Sequence, residues 1–292
     1  MKFGKLGVFT FTDVMDAKQL AELATRLEAL NYSTLWYPEA FNYETFAIGG
    51  YLLGHSKKLV VASGIANIYA RDPAASAMGH NSLNSLYGGR FVLGLGVSHA
   101  PLVSDLRGHQ YNKQPVATMR AYLDQMDKAW AAMNSTPAEK QLVLAALGPN
   151  MSKLSAERTL GAFPYNITPD QVALSRAAMG ANSALICEQK VCLCADPVVA
   201  RKAARGALAP YLPLPNYYQN WFRLGFDESD LKDGGSDRLM DAMVLWGDAG
   251  QIKAKLKQYF DRGADQVVIQ PIRADGAPGP DWAALEALAS FN

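Results

Sequence analysis

Two side chains in the sequence could carry a proton at the end of a strand. Glu39 follows the strand-like segment 34–37, and His99 follows the segment 91–95. A carboxylate in a cavity mouth becomes a useful acid or base when desolvation raises its pKa, and histidine titrates near neutral pH. Glu39 could instead cap a helix that begins near Tyr43, and His99 could be an ordinary solvated loop residue. We predict both as catalytic residues, with these structural roles as the alternatives.

Glycines mark places where the backbone could come close to a flat ligand. Gly64 follows the apolar segment 59–63, and Gly94 and Gly96 lie in and after the segment 91–95. Glycine in a strand permits a bulge or the close approach of a ligand. The spacing of Gly94 and Gly96 lacks the third glycine of a nicotinamide dinucleotide fingerprint. We therefore predict that these strands approach a flat ring.

The sequence Gly148-Pro149-Asn150 predicts a site for a phosphate group. It follows the apolar segment 142–146 and opens a predicted helix that continues to Leu160. The first turn of a helix presents free backbone N–H groups beside the positive end of the helix dipole. Simple capping of the helix explains the same residues equally well. No Walker lysine follows Gly148, so the segment is not a P-loop.

Hydrolytic, metal and nucleic-acid chemistry have little support in the sequence. It contains no His-x-x-x-His motif, no paired-carboxylate motif and no nucleophile elbow, so we predict no metal site. The 28 basic and 27 acidic residues give a net charge of +1, which does not attract nucleic acid or an anionic membrane. Cys187, Cys192 and Cys194 match no zinc site and are expected to be reduced thiols. With no signal peptide or membrane span in the sequence, we predict a cytoplasmic protein.

The candidate residues need a fold that brings strand ends together. Short apolar segments alternate with amphipathic segments, and nearly continuous apolar strands are typical of a parallel sheet covered by helices. Strands are predicted at 5–10, 34–37, 59–63, 91–95, 142–146, 161–165, 189–194 and 266–270. Eight alternations in 292 residues favour an α/β fold of the (β/α)8 TIM-barrel type over an open doubly wound sheet. Residues 1–292 are predicted to form a single domain.

Two longer segments interrupt the alternation. Residues 99–117 are polar, and residues 212–236 contain prolines, a glycine pair and several aromatic residues. Insertions after barrel strands lie at the carboxyl face, where barrel enzymes form their sites. The aromatic residues of the second insertion are Tyr217, Tyr218, Trp221 and Phe222. They could form an apolar pocket wall, or they could only pack the insertion against the barrel.

In their order along the chain, these segments resemble the luciferase-like flavin and deazaflavin oxidoreductases. The most similar branch is the one usually labelled coenzyme F420-dependent. The resemblance covers nearly the whole chain, and its motifs are specific in combination. They lie at 36–40, 64–73, 89–99, 145–149, 214–217 and 235–239.

The resemblance implies a planar redox cofactor at the carboxyl face of the barrel: coenzyme F420 or, as the alternative, FMN. It also implies a non-prolyl cis peptide bond at Gly64–Ile65 behind the ring, and a phosphate at the turn after the fifth strand. The implied cofactor-binding residues are Gly64, Ile65, Ala66, Asn67, Gly96, Val97, Ser98, Ala146, Leu147, Gly148, Pro149 and Asn150.

Three positions depart from the family pattern. Ala40 replaces a histidine common in relatives, Val97 replaces the glutamate of the sugar-phosphate dehydrogenases, and Asn150 replaces a helix-opening lysine. A sugar phosphate is therefore not the expected substrate. The resemblance implies hydride transfer between F420 and a small organic substrate, in a homodimer. An FMN-dependent monooxygenase that uses reduced flavin and oxygen is one alternative, and a non-catalytic flavin-binding barrel is another.

Overall fold

The fold is an alternation of buried strands and covering helices. The computed structural model describes residues 3–133 and 139–291. Its strands are β1 (Leu6–Phe9), β2 (Thr34–Tyr37), β3 (Val60–Ser63), β4 (Ala66–Asn67), β5 (Phe91–Gly96), β6 (Leu142–Leu144), β7 (Gly161–Ala162), β8 (Ala184–Leu193), β9 (Val244–Gly247) and β10 (Gln266–Pro271). Its α-helices are α1 (Ala17–Ala29), α2 (Thr45–Gly54), α3 (Pro73–Leu86), α4 (Pro115–Ala131), α5 (Pro149–Arg158), α6 (Pro169–Met179), α7 (Pro197–Leu208), α8 (Pro215–Arg223), α9 (Asp237–Met243), α10 (Ala249–Asp261) and α11 (Trp282–Leu288). None of the helices within these ranges combines the length and the apolar character that a bilayer crossing needs.

Eight strands close into a parallel barrel, which confirms the predicted (β/α)8 fold. Hydrogen-bonded neighbours follow the order β1, β2, β3, β5, β6, β7, β8 and β10, and β10 pairs with β1 to complete the circle. Leu6 lies opposite Val267 on one side of β10, and Ile186 lies opposite Gln266 on the other. Closure brings the carboxyl ends of all eight strands to one face.

The predicted bounds of the seventh strand, 189–194, are wrong. β8 begins at Ala184, and its first half contains the buried Glu188, which interrupts the apolar pattern. β9, which pairs with the carboxyl half of β8, was not predicted, because it follows α9 without an intervening turn residue. β4 was missed as well; it is a two-residue continuation of β3 that pairs with β5.

An aromatic layer fills the interior of the barrel. Trp36 and Phe163 stack with their ring centroids 4.4 Å apart, and Phe9 packs beside Phe163 at 6.4 Å. All three are at most 1% exposed, and burying a side chain of this size contributes about 1.5–3 kcal/mol. The layer closes the barrel below its carboxyl face, so a ligand must bind above these rings.

The second insertion is helical and folds back onto the barrel. α8 begins after Leu214, and a 3-10 segment follows at Glu228–Gly234. Trp221 is fully buried, and its indole N–H donates to the carbonyl of Asn166 at 3.0 Å. The first insertion contains a π-helical turn, Pro101–Asp105, where the sequence indicated only a polar segment.

Candidate active site

A cavity of about 420 Å³, called here the cofactor cavity, opens above β5, β6 and β7. Nine of the twelve cofactor-binding residues implied by the sequence line it. They are Ile65, Gly96, Val97, Ser98, Ala146, Leu147, Gly148, Pro149 and Asn150. The other three, Gly64, Ala66 and Asn67, are not part of its lining, and the last two are buried. The structure thus collects residues from three strand ends into one cavity.

One wall of the cavity is the junction between β3 and β4. The Gly64–Ile65 peptide bond is cis, as the resemblance implies. The Gly64 N–H donates to the carbonyl of Tyr37 at 2.7 Å, and the carbonyl of Ile65 accepts from the N–H of Glu39 at 3.3 Å. A Cβ added to Gly64 would lie 3.1 Å from Phe163, so the junction rests directly on the aromatic layer. The Ile65 side chain therefore forms part of the cavity surface.

The end of β5 forms the adjoining wall. A Cβ on Gly96 would lie 2.5 Å from Cδ1 of Ile65, so the glycine allows the isoleucine to occupy its position. Two residues later, Ser98 has a φ of +57°, a left-handed conformation that is uncommon for a non-glycine residue. Such conformations concentrate at functional sites, because the surrounding structure must maintain them. The turn brings Val97 and Ser98 to the cavity surface.

The opposite end of the cavity is the start of α5. Gly148 is the N-cap, Pro149 is the first helical residue, and within the described chain no side chain caps this helix. The N–H groups of Asn150 and Met151 therefore remain available to an anion. A Cβ on Gly148 would have no heavy atom within 4 Å, so there is open space at this turn. Arg223 of α8 lines the same cavity and adds a positive charge.

Glu39, the first predicted catalytic residue, lies in a buried ion pair outside the lining of the cofactor cavity. Its side chain is 4% exposed and forms a two-point ion pair with Arg71. The N–H groups of Asn67 and Thr45 donate to the same carboxylate at 2.9 and 3.3 Å. Glu39 is not in the lining of the cavity. Through these hydrogen bonds Glu39 ties β4 to the start of α2.

His99, the other candidate proton carrier, does line the cavity. Its Nδ1 lies 3.3 Å from the amide nitrogen of Asn216, and its ring is 5.5 Å from that of Tyr217. Burial lowers the pKa of His99 below its usual value, because it disfavours the charged imidazolium. The neutral ring can accept the amide hydrogen of Asn216 at Nδ1 and keep its own proton on Nε2.

A buried charged pair beneath the cavity was missed by the sequence analysis. The side chains of Lys190 and Glu188 are 0% and 1% exposed, with Nζ and Oε1 3.2 Å apart. Lys190 also donates to Oδ1 of Asn166 at 2.5 Å, and its ammonium lies 4.0 Å from the ring centroid of Tyr165. Burial lowers the pKa of Lys190 and raises that of Glu188, and their mutual attraction opposes both shifts. The sequence feature that could have indicated this pair is an acidic and a basic residue two positions apart in an otherwise apolar strand.

Tyr165 connects this pair to the cavity surface. It lines the cavity, and its hydroxyl donates to Oε1 of Gln270 at 2.8 Å. The hydroxyl of Tyr211 lies 2.9 Å from the same oxygen atom of Tyr165. The second insertion contributes Tyr217 and Arg223 to the cavity wall. Of its four aromatic residues named above as a possible pocket wall, only Tyr217 is in the lining.

The profile of the luciferase-like monooxygenase family matches residues 1–266. The chain belongs to this family. Members of the luciferase-like family are oxidoreductases, and the protein is accordingly an enzyme.

Known proteins of similar sequence or structure align with 85% or more of this chain. A Mycobacterium tuberculosis protein named as a coenzyme F420-dependent oxidoreductase is 23% identical over 85% of this chain and 89% of its own. An F420-dependent secondary alcohol dehydrogenase, solved with an F420–acetone adduct, superimposes with a TM-score of 0.80 at 15% identity, over 100% and 98% of the two chains. The oxygenating component of 3,6-diketocamphane monooxygenase of Pseudomonas putida, solved with FMN, gives 0.73 at 14% identity, over 99% and 97%. At these identities the two solved structures show the shared fold.

Proposed function

We propose that this protein transfers a hydride between coenzyme F420 and a small organic substrate at the carboxyl face of the barrel. The cofactor cavity carries the proposal. One end has the cis Gly64–Ile65 junction beside Gly96, which suits a flat ring, and the other end has the uncapped start of α5, which suits a phosphate. The names of an F420-dependent relative and of an F420-dependent structural neighbour support the same choice.

The protein's own contribution is binding, orientation and exclusion of water. When bound, the deazaflavin supplies the two-electron redox chemistry. Ile65 supports one face of the ring, and Val97 and Ser98 border its edge. The N–H groups of Asn150 and Met151 hold the phosphate. Phe163 and the other rings of the aromatic layer lie beneath and exclude water from the barrel side.

His99 is proposed to accept the proton that accompanies hydride transfer. Because burial lowers its pKa, the ring is neutral at neutral pH and can take up the proton released when a substrate is oxidised. The His99→Gln variant should lower turnover by about 100-fold, within the usual range for a general base, and leave cofactor affinity nearly unchanged. Turnover would be measured on whichever alcohol of a small panel the enzyme accepts. Equal loss of turnover and affinity, or loss of neither, would contradict this role.

Titration of the purified protein with each cofactor tests the proposal. The expected result is saturable binding of F420 that is tighter than the binding of FMN, measured by quenching of tryptophan fluorescence. Binding of neither cofactor would overturn the proposal.

An FMN-dependent monooxygenase is the second candidate function. It is favoured by the FMN-bound structural neighbour, which shares the fold at 14% identity. The same ring and phosphate positions would serve FMN. Binding of FMN alone, together with oxygen consumption by the reduced flavin complex, would establish this alternative and reject hydride transfer from F420.

We also propose that the protein forms a homodimer through α2 and α3. These two helices contain no charged residue, and they expose Met78, Leu86 and Tyr51 to solvent at 61%, 75% and 36%. An uncharged face with exposed large apolar side chains is typical of an interaction surface. Sedimentation should show a dimer for the parent protein and a monomer for the double variant Met78→Glu, Leu86→Glu. A monomeric parent protein at micromolar concentration would contradict the proposal.

A further inference from the structure

A second cavity opens at the same face on the other side of the barrel. Its volume is about 660 Å³, which lies within the range of small-molecule sites. Its walls come from residues 10–14 after β1, from α7, and from residues 270–279, which form the end of β10 and the loop that follows it. The second cavity is distinct from the cofactor cavity, and the proposed cofactor contacts use none of its residues.

The rim of the second cavity is apolar and exposed. Val198 is 75% exposed, Val14 is 54% exposed and Val199 is 39% exposed, and all three line the cavity. Phe11 adds an aromatic surface to the lining. Exposed apolar side chains grouped around one concave surface are typical of a binding site, because a ligand removes them from water.

The charge at the second cavity is positive. Lys202 of α7 lines it, and no acidic side chain in the described part of the chain pairs with this lysine. The other charged residues of the lining, Arg273 and Asp275, pair with each other at 3.0 Å and largely cancel. One cation therefore remains for a ligand, and an anionic group is the matching partner.

A buried amide connects the second cavity to the cofactor cavity. Gln270 is 7% exposed and lines the second cavity. Its Oε1 accepts from the hydroxyl of Tyr165, and its Nε2 has no acceptor among the described residues. Tyr165 lines the cofactor cavity, so its hydrogen bond to Gln270 joins a lining residue of one cavity to a lining residue of the other. The free N–H groups of Gln270 are suited to a carbonyl or hydroxyl oxygen of a ligand in the second cavity.

We propose that the second cavity is a ligand site separate from the hydride-transfer site, and that its ligand is an organic acid with an extended apolar body. Lys202 binds the acid group, the three valines cover the apolar body, and the amide of Gln270 donates to an oxygen at the end nearest the cofactor cavity. The binding chemistry itself does not depend on a cofactor.

Isothermal titration of the full-length, cofactor-free protein tests the site with three probes that share one alkyl chain. Octanoate should bind most tightly, 1-octanol more weakly, and octylammonium most weakly. Lys202→Glu should weaken octanoate binding about tenfold and leave 1-octanol binding unchanged, because the substitution reverses one charge. Val198→Asp should weaken the binding of both probes about tenfold, because it places a charge on the apolar rim.

Matched controls come from other surfaces of the same protein. Lys128→Glu on α4 reverses an exposed lysine away from the second cavity, and Leu174→Asp on α6 charges a leucine that is 55% exposed. Both should bind octanoate like the parent protein. Octylammonium binding as tight as octanoate, equal effects of Lys202→Glu and Lys128→Glu, or displacement of F420 by octanoate would each overturn the proposal.

The same titrations separate this inference from the proposed function. Octanoate binding that responds to Lys202 in a protein that fails to bind F420 would reject hydride transfer and keep the ligand site. F420 binding by a protein that does not bind octanoate would reject the ligand site and keep the proposed function.

Discussion

The two cavities at the carboxyl face of this barrel are built from different parts of the chain. The cofactor cavity is formed largely by backbone: a cis junction, glycines in β5, and the first N–H groups of α5. The second cavity is assembled from three segments that are distant in sequence, and the ligand contacts proposed there are side chains. A backbone-built site requires glycine and proline at fixed positions and so leaves short motifs, whereas a side-chain-built site does not.

The buried pair of Glu188 and Lys190 packs against Tyr165, which lines the cofactor cavity, and breaking this pair is expected to have the largest effect. Lys190→Met should lower the free energy of unfolding by about 3–5 kcal/mol, because Glu188 would remain buried without its partner. The double variant with Glu188→Leu should recover most of this loss. Urea denaturation measures both. Near-parent stability of the single variant would show that the pair does not stabilise the fold around Tyr165.

Loss of the Arg71 ion pair is expected to affect binding at the cofactor cavity and not at the second cavity. Arg71→Met should lower the free energy of unfolding by about 3 kcal/mol, because it leaves Glu39 buried and unpaired. It should also weaken F420 binding, since Glu39 holds the N–H of Asn67 beside the cis junction, and leave octanoate binding unchanged. Arg120→Met breaks an exposed pair with Glu157 and should cost less than about 1 kcal/mol. An Arg71 variant with normal stability and cofactor affinity but no turnover would contradict this structural role and support the predicted catalytic role of Glu39.

Acid destabilisation at His80 limits the pH range in which the two cavities can be compared. His80 is fully buried, accepts from the N–H of Gln141 at 3.1 Å, and has a pKa that burial lowers to about 4. Below its ordinary pKa of about 6.5 only the unfolded state takes up the proton, so stability falls as pH drops from about 6.5 to 4. The loss should reach roughly 3 kcal/mol and then level off.

The His80→Gln variant is the control for this pH dependence, because it removes the titrating group. Denaturation midpoints measured across this pH range should fall for the parent protein and change less for the variant. Identical pH profiles would contradict the assignment to His80.

The smallest expected effect tests the ring position alone. Gly96→Ala should weaken F420 binding about tenfold, or about 1.4 kcal/mol, because the new Cβ would push Ile65 into the ring space. Octanoate binding at the second cavity should not change. Gly54→Ala is a matched control, since its Cβ would be 3.7 Å from its nearest neighbour, Tyr87. Equal cofactor affinity in the two variants would contradict the position proposed for the ring.

The barrel and the cofactor cavity were largely predictable from the sequence. Apolar strands alternating with helices predict closure, and the segments around Gly64, Gly96 and Gly148 keep their local backbone roles in the fold. Glu39 could not be placed from sequence, because its pairing with Arg71 joins residues 32 positions apart. The charged pair Glu188 and Lys190 was missed because charged residues inside a barrel contradict the apolar pattern used to find strands.

The second cavity could not be predicted either, because its residues are distant in sequence. Val14, Val198 and Gln270 are ordinary residues in their own segments, and only the closure of the barrel places them together. Their exposure and their unused hydrogen-bonding groups become visible only in three dimensions.

A crystal structure of the protein with bound F420 would locate both the ring and the phosphate. We expect the ring against Ile65 and Gly96, and the phosphate within hydrogen-bonding distance of the N–H groups of Asn150 and Met151. A ring in the second cavity, or a phosphate away from the start of α5, would contradict this expectation.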